Sequence, residues 1–567
     1  MSMENLRDVI LSDEYLDFIL PYYDGIEQDF SEYGIQFFNS HLVMIHSRRP
    51  SENLINYLET DELRYTTLPK LYSLLNLVSL ESSGILTVQN QPSLDLKGRN
   101  VIVGFIDTGV DYTHSAFLTR DKRTRILALW DQNIQTGQPP FDLSYGSVYF
   151  EEDINQALSS SNPFEVVPSN DEIGHGTALA GIACGSSIPE QDFSGAAPLS
   201  QIAVVKLKPA KQYLREIFYH TSNEPVFQET DIMMAIRFFT LLAREQKKPL
   251  VLCLGLGTNQ GAHSGRSYLA KMFTELSNYW GFHPVIAAGN EAGKAHHFFS
   301  YAPMPQDYIP VELSVPANSS GFTLELWGDS PEIYEVGFES PLGEIISRIP
   351  SRVNFRETLD FILEDTKIFL SSSVIQNVSG EQFIFMRFSA PTPGIWKIRV
   401  YARNQNKGSF HLWLPISGFL SPDVIFLRPN PDTTITEPAT SPYVITISAY
   451  SAYNNSLFLN SSRGFTRLEE IKPDLTAPGV NVSAPSLQNT YTTITGTSAA
   501  CALTAGACAL LVEWGQKRMP PKIFNTAELT ALLIRGARRS EDRIYPNREW
   551  GLGILDIYQI FQTFASF

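Results

Sequence analysis

The sequence predicts an α/β protein built on a doubly wound parallel sheet, with an N-terminal α/β unit and an inserted all-β sandwich. Three observations carry this. The runs "VIVGFIDTG", "IAVVKL", "PLVLCLGLG" and "PVIAAGN" are continuously apolar and end in glycine or polar residues, as strands buried on both faces do. Helical stretches lie between them, "DIMMAIRFFTLLAREQ" at 231–246 and "SYLAKMFTELSNYW" at 267–280, and strand alternating with helix is the pattern of a doubly wound sheet. The rhythm then changes near 304. To about 436, short alternating strands follow one another with Gly, Pro and Asn turns, many aromatics and no convincing helix, which reads as a β-sandwich inserted in the α/β domain.

The elements follow in order. Residues 1–76 alternate "GIQFF" and "HLVMIHS" with an amphipathic "SENLINYLET" that Ser51 caps, the makings of a small α/β unit. Residues 77–303 carry the first part of the α/β domain, 304–436 the sandwich and 437–567 the second part. There "YVITISAY" (443–450) resumes the α/β style and two helical segments close the chain. The stretch "GTSAACALTAGACAL" (496–510) contains almost nothing large, so it predicts a helix buried deeply enough for other backbone to approach.

Composition narrows the function classes. With 43% hydrophobic and 18% charged residues, most of the chain is expected to fold as a soluble globular protein. A formal net charge of −17 excludes a nucleic-acid partner, because phosphate binding needs basic patches. The start "MSMENLRDVILSDEYLDFILPYY" has no basic flank, long apolar run or small-residue cleavage site. It predicts no signal peptide and a product that stays in the cytoplasm where it is made. No stretch reads as the roughly 18 apolar residues of a membrane span. Cys184, Cys253, Cys501 and Cys508 sit in apolar or small-residue runs. Cys501 and Cys508, on one helix, stand roughly 10 Å apart, too far for a disulfide. Buried free thiols are expected.

Four polar residues sit where parallel sheets place their chemistry, at strand ends and helix starts. Asp107 ends "VIVGFI", His175 opens "GHGTALAGIACG", Asn290 ends "AAGN", and Ser498 follows Gly496 and Thr497. Each alone reads as a turn, cap or packing residue. Together they are the group types of acyl transfer. Asp111, Asp131 and Glu172 lie near them in sequence and are read as solvated surface. His296 and His297, adjacent and so pointing apart, are read as packing, and no metal site or cofactor is expected. The sandwich tryptophans Trp327, Trp396 and Trp413 read as core rather than as sugar-stacking groups.

The motifs "DTG" (107–109), "GHGT" (174–177), "AAGN" (287–290) and "GTSAA" (496–500), with "GTNQG" (257–261) and "KPDLTAPG" (472–479), make the chain resemble the subtilisin family of serine proteases. The resemblance implies a nucleophile at Ser498, a general base at His175, an orienting Asp107 and an oxyanion-binding Asn290. It also implies substrate pairing along Gly255, Leu256 and Gly257. The Ala499–Ala502 stretch departs from the usual motif after the serine, and both intervals between the catalytic motifs are enlarged. "LWDQ", "GNEAGKAHH" and "GACALLVEWG" are similar to the Csp proteases of clostridial spore germination. That similarity implies a prodomain at 1–76 that chaperones folding and can stay bound, and self-cleavage near Leu75, Asn76 or Leu77. It further implies a jelly roll for the insertion, packaging in the spore, and the zymogen of a cortex-lytic enzyme as substrate. The alternative it leaves is a prodomain-silenced or non-catalytic signalling protein of the same pathway.

Overall fold

The structure is a computed structural model that describes the chain except residues 1–2, 31–33, 50–66, 75–80, 192, 221, 278, 303–306, 354, 375–379, 405–406, 422 and 566–567. The segment capped by Ser51, the boundaries at 76/77 and 303/304, and Leu75, Asn76 and Leu77 lie outside the described residues.

The N-terminal unit is a helix, Met3–Leu11, and three antiparallel strands, β1 (Tyr15–Pro21), β2 (Gly34–Phe37) and β3 (Leu42–Arg48), in the order β1-β3-β2. A short strand, β4 (Leu71–Leu74), leads from it. The main sheet then takes β5 (Ile102–Asp107), β6 (Ile126–Asp131), β7 (Ser147–Phe150) and β8 (Gln201–Lys206). After the short β9 (Phe227–Gln228) come β10 (Leu250–Leu254), β11 (Leu256–Gly257) and β12 (Phe282–Ala287), and beyond the sandwich β13 (Ile445–Ser451), β14 (Ser456–Leu457) and β15 (Leu475–Pro478). The sheet order is β14-β13-β12-β10-β5-β8-β6-β7, with β15 parallel to β13. Its interior pairs are all parallel and the end pairs, β13–β14 and β6–β7, are antiparallel.

Alternation within the apolar runs explains why they are unbroken. On β5, Val103 and Phe105 face one core with helices α1 (His175–Cys184) and, much later in the chain, Thr497–Lys517. Ile102 and Ile106 face the other, with helices α2 (Glu229–Gln246) and α3 (Tyr268–Leu276). A strand covered on both faces has no position left for a polar residue. The helix Thr497–Lys517, α4, packs against α1 through Gly506. A Cβ there would stand 2.6 Å from the Ala183 carbonyl, so the small residues are what allow that approach. This helix corrects one expectation. By length and composition it passes as a membrane span, yet 94% of its apolar stretch is buried in protein. All four cysteines are buried and free.

Between His297 and Phe426 two antiparallel sheets, six- and five-stranded, enclose a separate core. Trp396 is fully buried there, and Trp327 and Trp413 are buried against Ala262 and phenylalanines at the junction with the α/β core. That burial accounts for the aromatic content. Arg467 fastens the junction: it pairs with Asp329 and Glu381 of the insertion while its Nε donates to the Ala262 carbonyl at 2.8 Å.

Candidate active site

The four residues that sequence reasoning singled out converge from four elements. Asp107 is the last residue of β5, His175 the first of α1, Asn290 lies just beyond β12, and Ser498 is in the first turn of α4. His175 Nδ1 lies 2.8 and 2.9 Å from the two Asp107 carboxylate oxygens, and Nε2 lies 3.3 Å from Ser498 Oγ. All three side chains are buried. A carboxylate on Nδ1 fixes the proton there and leaves the Nε2 lone pair facing the hydroxyl. Ser498 does not cap its helix. The N-cap is Gly496, whose φ of 148° lies in the region that favours glycine and which has no side chain to accept from the first turn.

Asn290 is anchored by its carbonyl oxygen. Oδ1 accepts from Thr497 N at 3.1 Å and from Thr497 Oγ1 at 3.2 Å. The planar amide therefore holds its NH₂ group away from the helix backbone. The first N–H groups of a helix have no intrahelical acceptor. Thr497 N is taken by Asn290, and Ser498 N–H is the next, at the positive end of the helix dipole. An amide NH₂ and a backbone N–H beside a serine hydroxyl are the donors a developing oxyanion requires.

Asp171 is a residue the sequence reading passed over. It is fully buried. Its Oδ1 accepts from the Ile173 and Gly174 N–H groups and from Thr108 Oγ1, and its Oδ2 from Thr177 N and Oγ1. Thr108 Oγ1 in turn accepts from Gly176 N at 3.0 Å. One carboxylate thus satisfies the start of α1 and ties it to the segment after Asp107. An acidic residue four positions before the histidine was the available signal.

Two other expectations are corrected. Asp111 and Asp131 are buried, not solvated, while Glu172 is exposed. Asp131 accepts from Ser169 Oγ at 2.7 Å and from Asn133 N at 2.8 Å, and Asp111 N–H donates to Thr177 Oγ1 at 2.8 Å. Both secure turns that a chain bent sharply around the site must make, which is why they left the surface. His296 bonds to Glu291 at 2.8 Å and His297 stacks on Trp413.

Gly255, Leu256 and Gly257 lie beside these residues. A Cβ on Gly255 would lie 2.9 Å from Ser498 Cβ and 3.3 Å from His175 Cε1, so glycine alone fits there. Next to it β11 pairs antiparallel with β4, Leu256 opposite Leu74 and Gly257 opposite Ser73. On its other side β4 pairs with β9, Leu71 opposite Gln228 and Tyr72 opposite Phe227. In this register β4 runs toward the Gly255 end of β11.

Comparison with known proteins places this geometry. A solved structure of the Clostridium perfringens CspB protease is similar with a TM-score of 0.76 and 31% identity, covering 86% of this chain and 99% of that one. The C5a peptidase of Streptococcus pyogenes serotype M6 is 23% identical over 450 residues, 75% of this chain. The human membrane-bound transcription factor site-1 protease is 31% identical over 140 residues, 24% of this chain. The chain spans 35% of the C5a peptidase and 13% of the site-1 protease, about a third or less of these curated relatives. The sequence profile of the Subtilase family matches residues 98–322 and 420–553, the stretches that contribute Asp107, His175, Asn290 and Ser498, and on that match the chain belongs to the Subtilase family.

Proposed function

We propose that the chain is a self-processing serine endopeptidase. Ser498 Oγ attacks a peptide carbonyl while His175 Nε2 takes its proton, and Asp107 stabilises the imidazolium that forms. The Asn290 amide and the Ser498 N–H bind the oxyanion. When the C–N bond breaks, the proton passes from His175 to the leaving amine. Water, deprotonated by the same nitrogen, then releases the acyl group and restores the serine.

The observation that carries this reading is the seating of β4. It lies between β11 and β9 as an extended substrate would, and it runs toward the glycine where a side chain would crowd both His175 and Ser498. The bond cut in the chain itself then falls among Leu75, Asn76 and Leu77. Residues 1–76 act as prodomain, 77–303 and 437–567 as protease, and 304–436 as a jelly-roll-like brace. The prodomain stays attached after the cut as a non-covalent partner. Supporting this, Asp17 of β1 is buried against Lys211 Nζ (2.8 Å), His46 Nδ1 (2.6 Å) and Gln228 Nε2 (2.8 Å). Lys211 holds the Asp17 carboxyl well below the usual range against its burial. The same seated strand favours the alternative of a complete but prodomain-silenced protein that signals by binding.

Similarity to the CspB protease supports a role in spore germination, with the zymogen of a cortex-lytic enzyme as the protein substrate and the spore as its place. A fluorophosphonate probe, which loses fluoride as it phosphonylates an activated serine, tests the catalytic reading. It should label the wild type on Ser498 and leave Ser498→Ala and His175→Ala unlabelled. Equal labelling of all three, or none, would refute it. Incubation with the zymogen should give a single cut with the wild type only.

A further inference from the structure

Past Gly257, the space over Gly261 is not used by the reaction. Gly261 adopts φ +121°, in the region that favours glycine. A Cβ there would meet Glu437 Cγ at 3.3 Å and Lys70 Cε and Nζ at 3.5 Å. The side chains of Lys70 and Glu437 thus both border the space left bare by this glycine. Lys70 immediately precedes β4, and its backbone is held in the same frame. Glu229 N–H donates to the Lys70 carbonyl at 2.8 Å, Lys70 N–H to Glu229 Oε2 at 3.4 Å, and Leu71 N–H to Gln260 Oε1 at 3.0 Å.

This space is acidic. Glu229 and Glu437 are fully buried, and Gly261 N–H donates to Glu325 Oε2 at 2.9 Å, bringing a third carboxylate to Gly261. Glu437 Oε2 accepts from Ser267 Oγ at 3.1 Å, whereas Oε1 is buried with no hydrogen-bond partner among the described residues. Burial pushes this carboxyl up, and the Lys70 charge is the largest influence opposing it, ahead of Thr440, Ser267 and the Ser264 backbone. A buried carboxylate with incomplete partners is costly, and a cation brought beside it relieves that cost.

We infer that the space over Gly261, bordered by Glu437, is a subsite that reads a lysine or arginine of the peptide substrate four residues ahead of the one that pairs with Leu256. This rests on the reading of β4 as a bound substrate strand. A peptide lacking that cation leaves Glu437 without it, and one carrying a carboxylate there meets repulsion.

The test uses peptides copied from the chain and joined to a fluorogenic amine: LPKLYSLL, LPALYSLL, LPELYSLL and the truncated YSLL. Cleavage of YSLL, lost in Ser498→Ala, checks the protease reading alone. The lysine peptide should exceed the alanine peptide about tenfold in kcat/KM, mainly through KM, with the glutamate peptide lower still. Glu437→Gln should bring the three together. Equal kcat/KM for all three on the wild type overturns the inference while leaving the protease reading intact. If a retained prodomain keeps peptides out, self-cleavage supplies the same test. Lys70→Glu should slow it, Lys70→Arg should not, and Glu437→Gln in the Lys70→Glu chain should restore it. An unchanged rate in Lys70→Glu overturns the subsite.

Discussion

Buried histidines behave differently in two regions of this molecule, the cleft and the junction where the sandwich meets the α/β core. His175 has a carboxylate on one nitrogen and a hydroxyl on the other. At the junction, His263, His297 and His411 surround Trp413 in stacked rings. Their ring nitrogens meet carbonyls and each other: His263 lies against the Ile435 and Asn259 carbonyls, and His297 Nδ1–H donates to the Asn430 carbonyl, so its Nε2 accepts from His411 Nδ1 at 2.9 Å. Burial pushes His263 down to about 4 and His297 to about 3, and Arg467 nearby disfavours a proton on His263 and His411 further. The lesson is that burial alone makes an imidazole an inert neutral ring. The partner on its second nitrogen decides whether it can carry a proton through a reaction.

This contrast can be broken from the cleft side first. His175→Ala should lower kcat by about 10⁶, because the base and nucleophile act as one unit. Asp107→Asn, which keeps the shape but lets the ring adopt the wrong tautomer, should cost about 10⁴. Asn290→Ala should cost about 10²–10³ in kcat with little change in KM, the range known for the oxyanion asparagine of subtilisin itself. Steady-state kinetics on a peptide substrate reads all three. Substitution of His411 by asparagine, by contrast, should leave kcat within about twofold, since it touches no reacting group.

The junction is tested through stability. A histidine near 6.5 when unfolded but near 4 or 3 when folded binds its proton in the unfolded chain first. Stability is therefore complete above about pH 6.5 and falls as pH drops toward 4, by about 1.4 kcal/mol per pH unit for each such histidine. Urea unfolding at pH 7 and pH 5 should show that loss. A flat profile would mean these rings are hydrated or paired with an acid.

The cleft was more legible in the sequence than its supports were. Asp107, His175, Asn290 and Ser498 announce themselves because glycines and alanines around them record the backbone crowding each needs. The parallel strands were legible for a similar reason: a strand buried on both faces, such as β5, leaves no polar position. Asp171, Asp111 and Asp131 were hidden because an acid in a polar loop looks the same whether it faces water or gathers backbone N–H groups. The approach of Lys70 to Glu437 spans most of the chain, and no local pattern records it. Helix α4 shows the converse, since its apolar composition fits a membrane span until the packed neighbours are known.

Intact mass of the purified wild type beside Ser498→Ala tests the central claim most directly. The account predicts that the wild type separates into two species at a bond within residues 75–77, both retained together on gel filtration, while Ser498→Ala remains whole. Two full-length chains, or cleavage of both at the same bond, would contradict it.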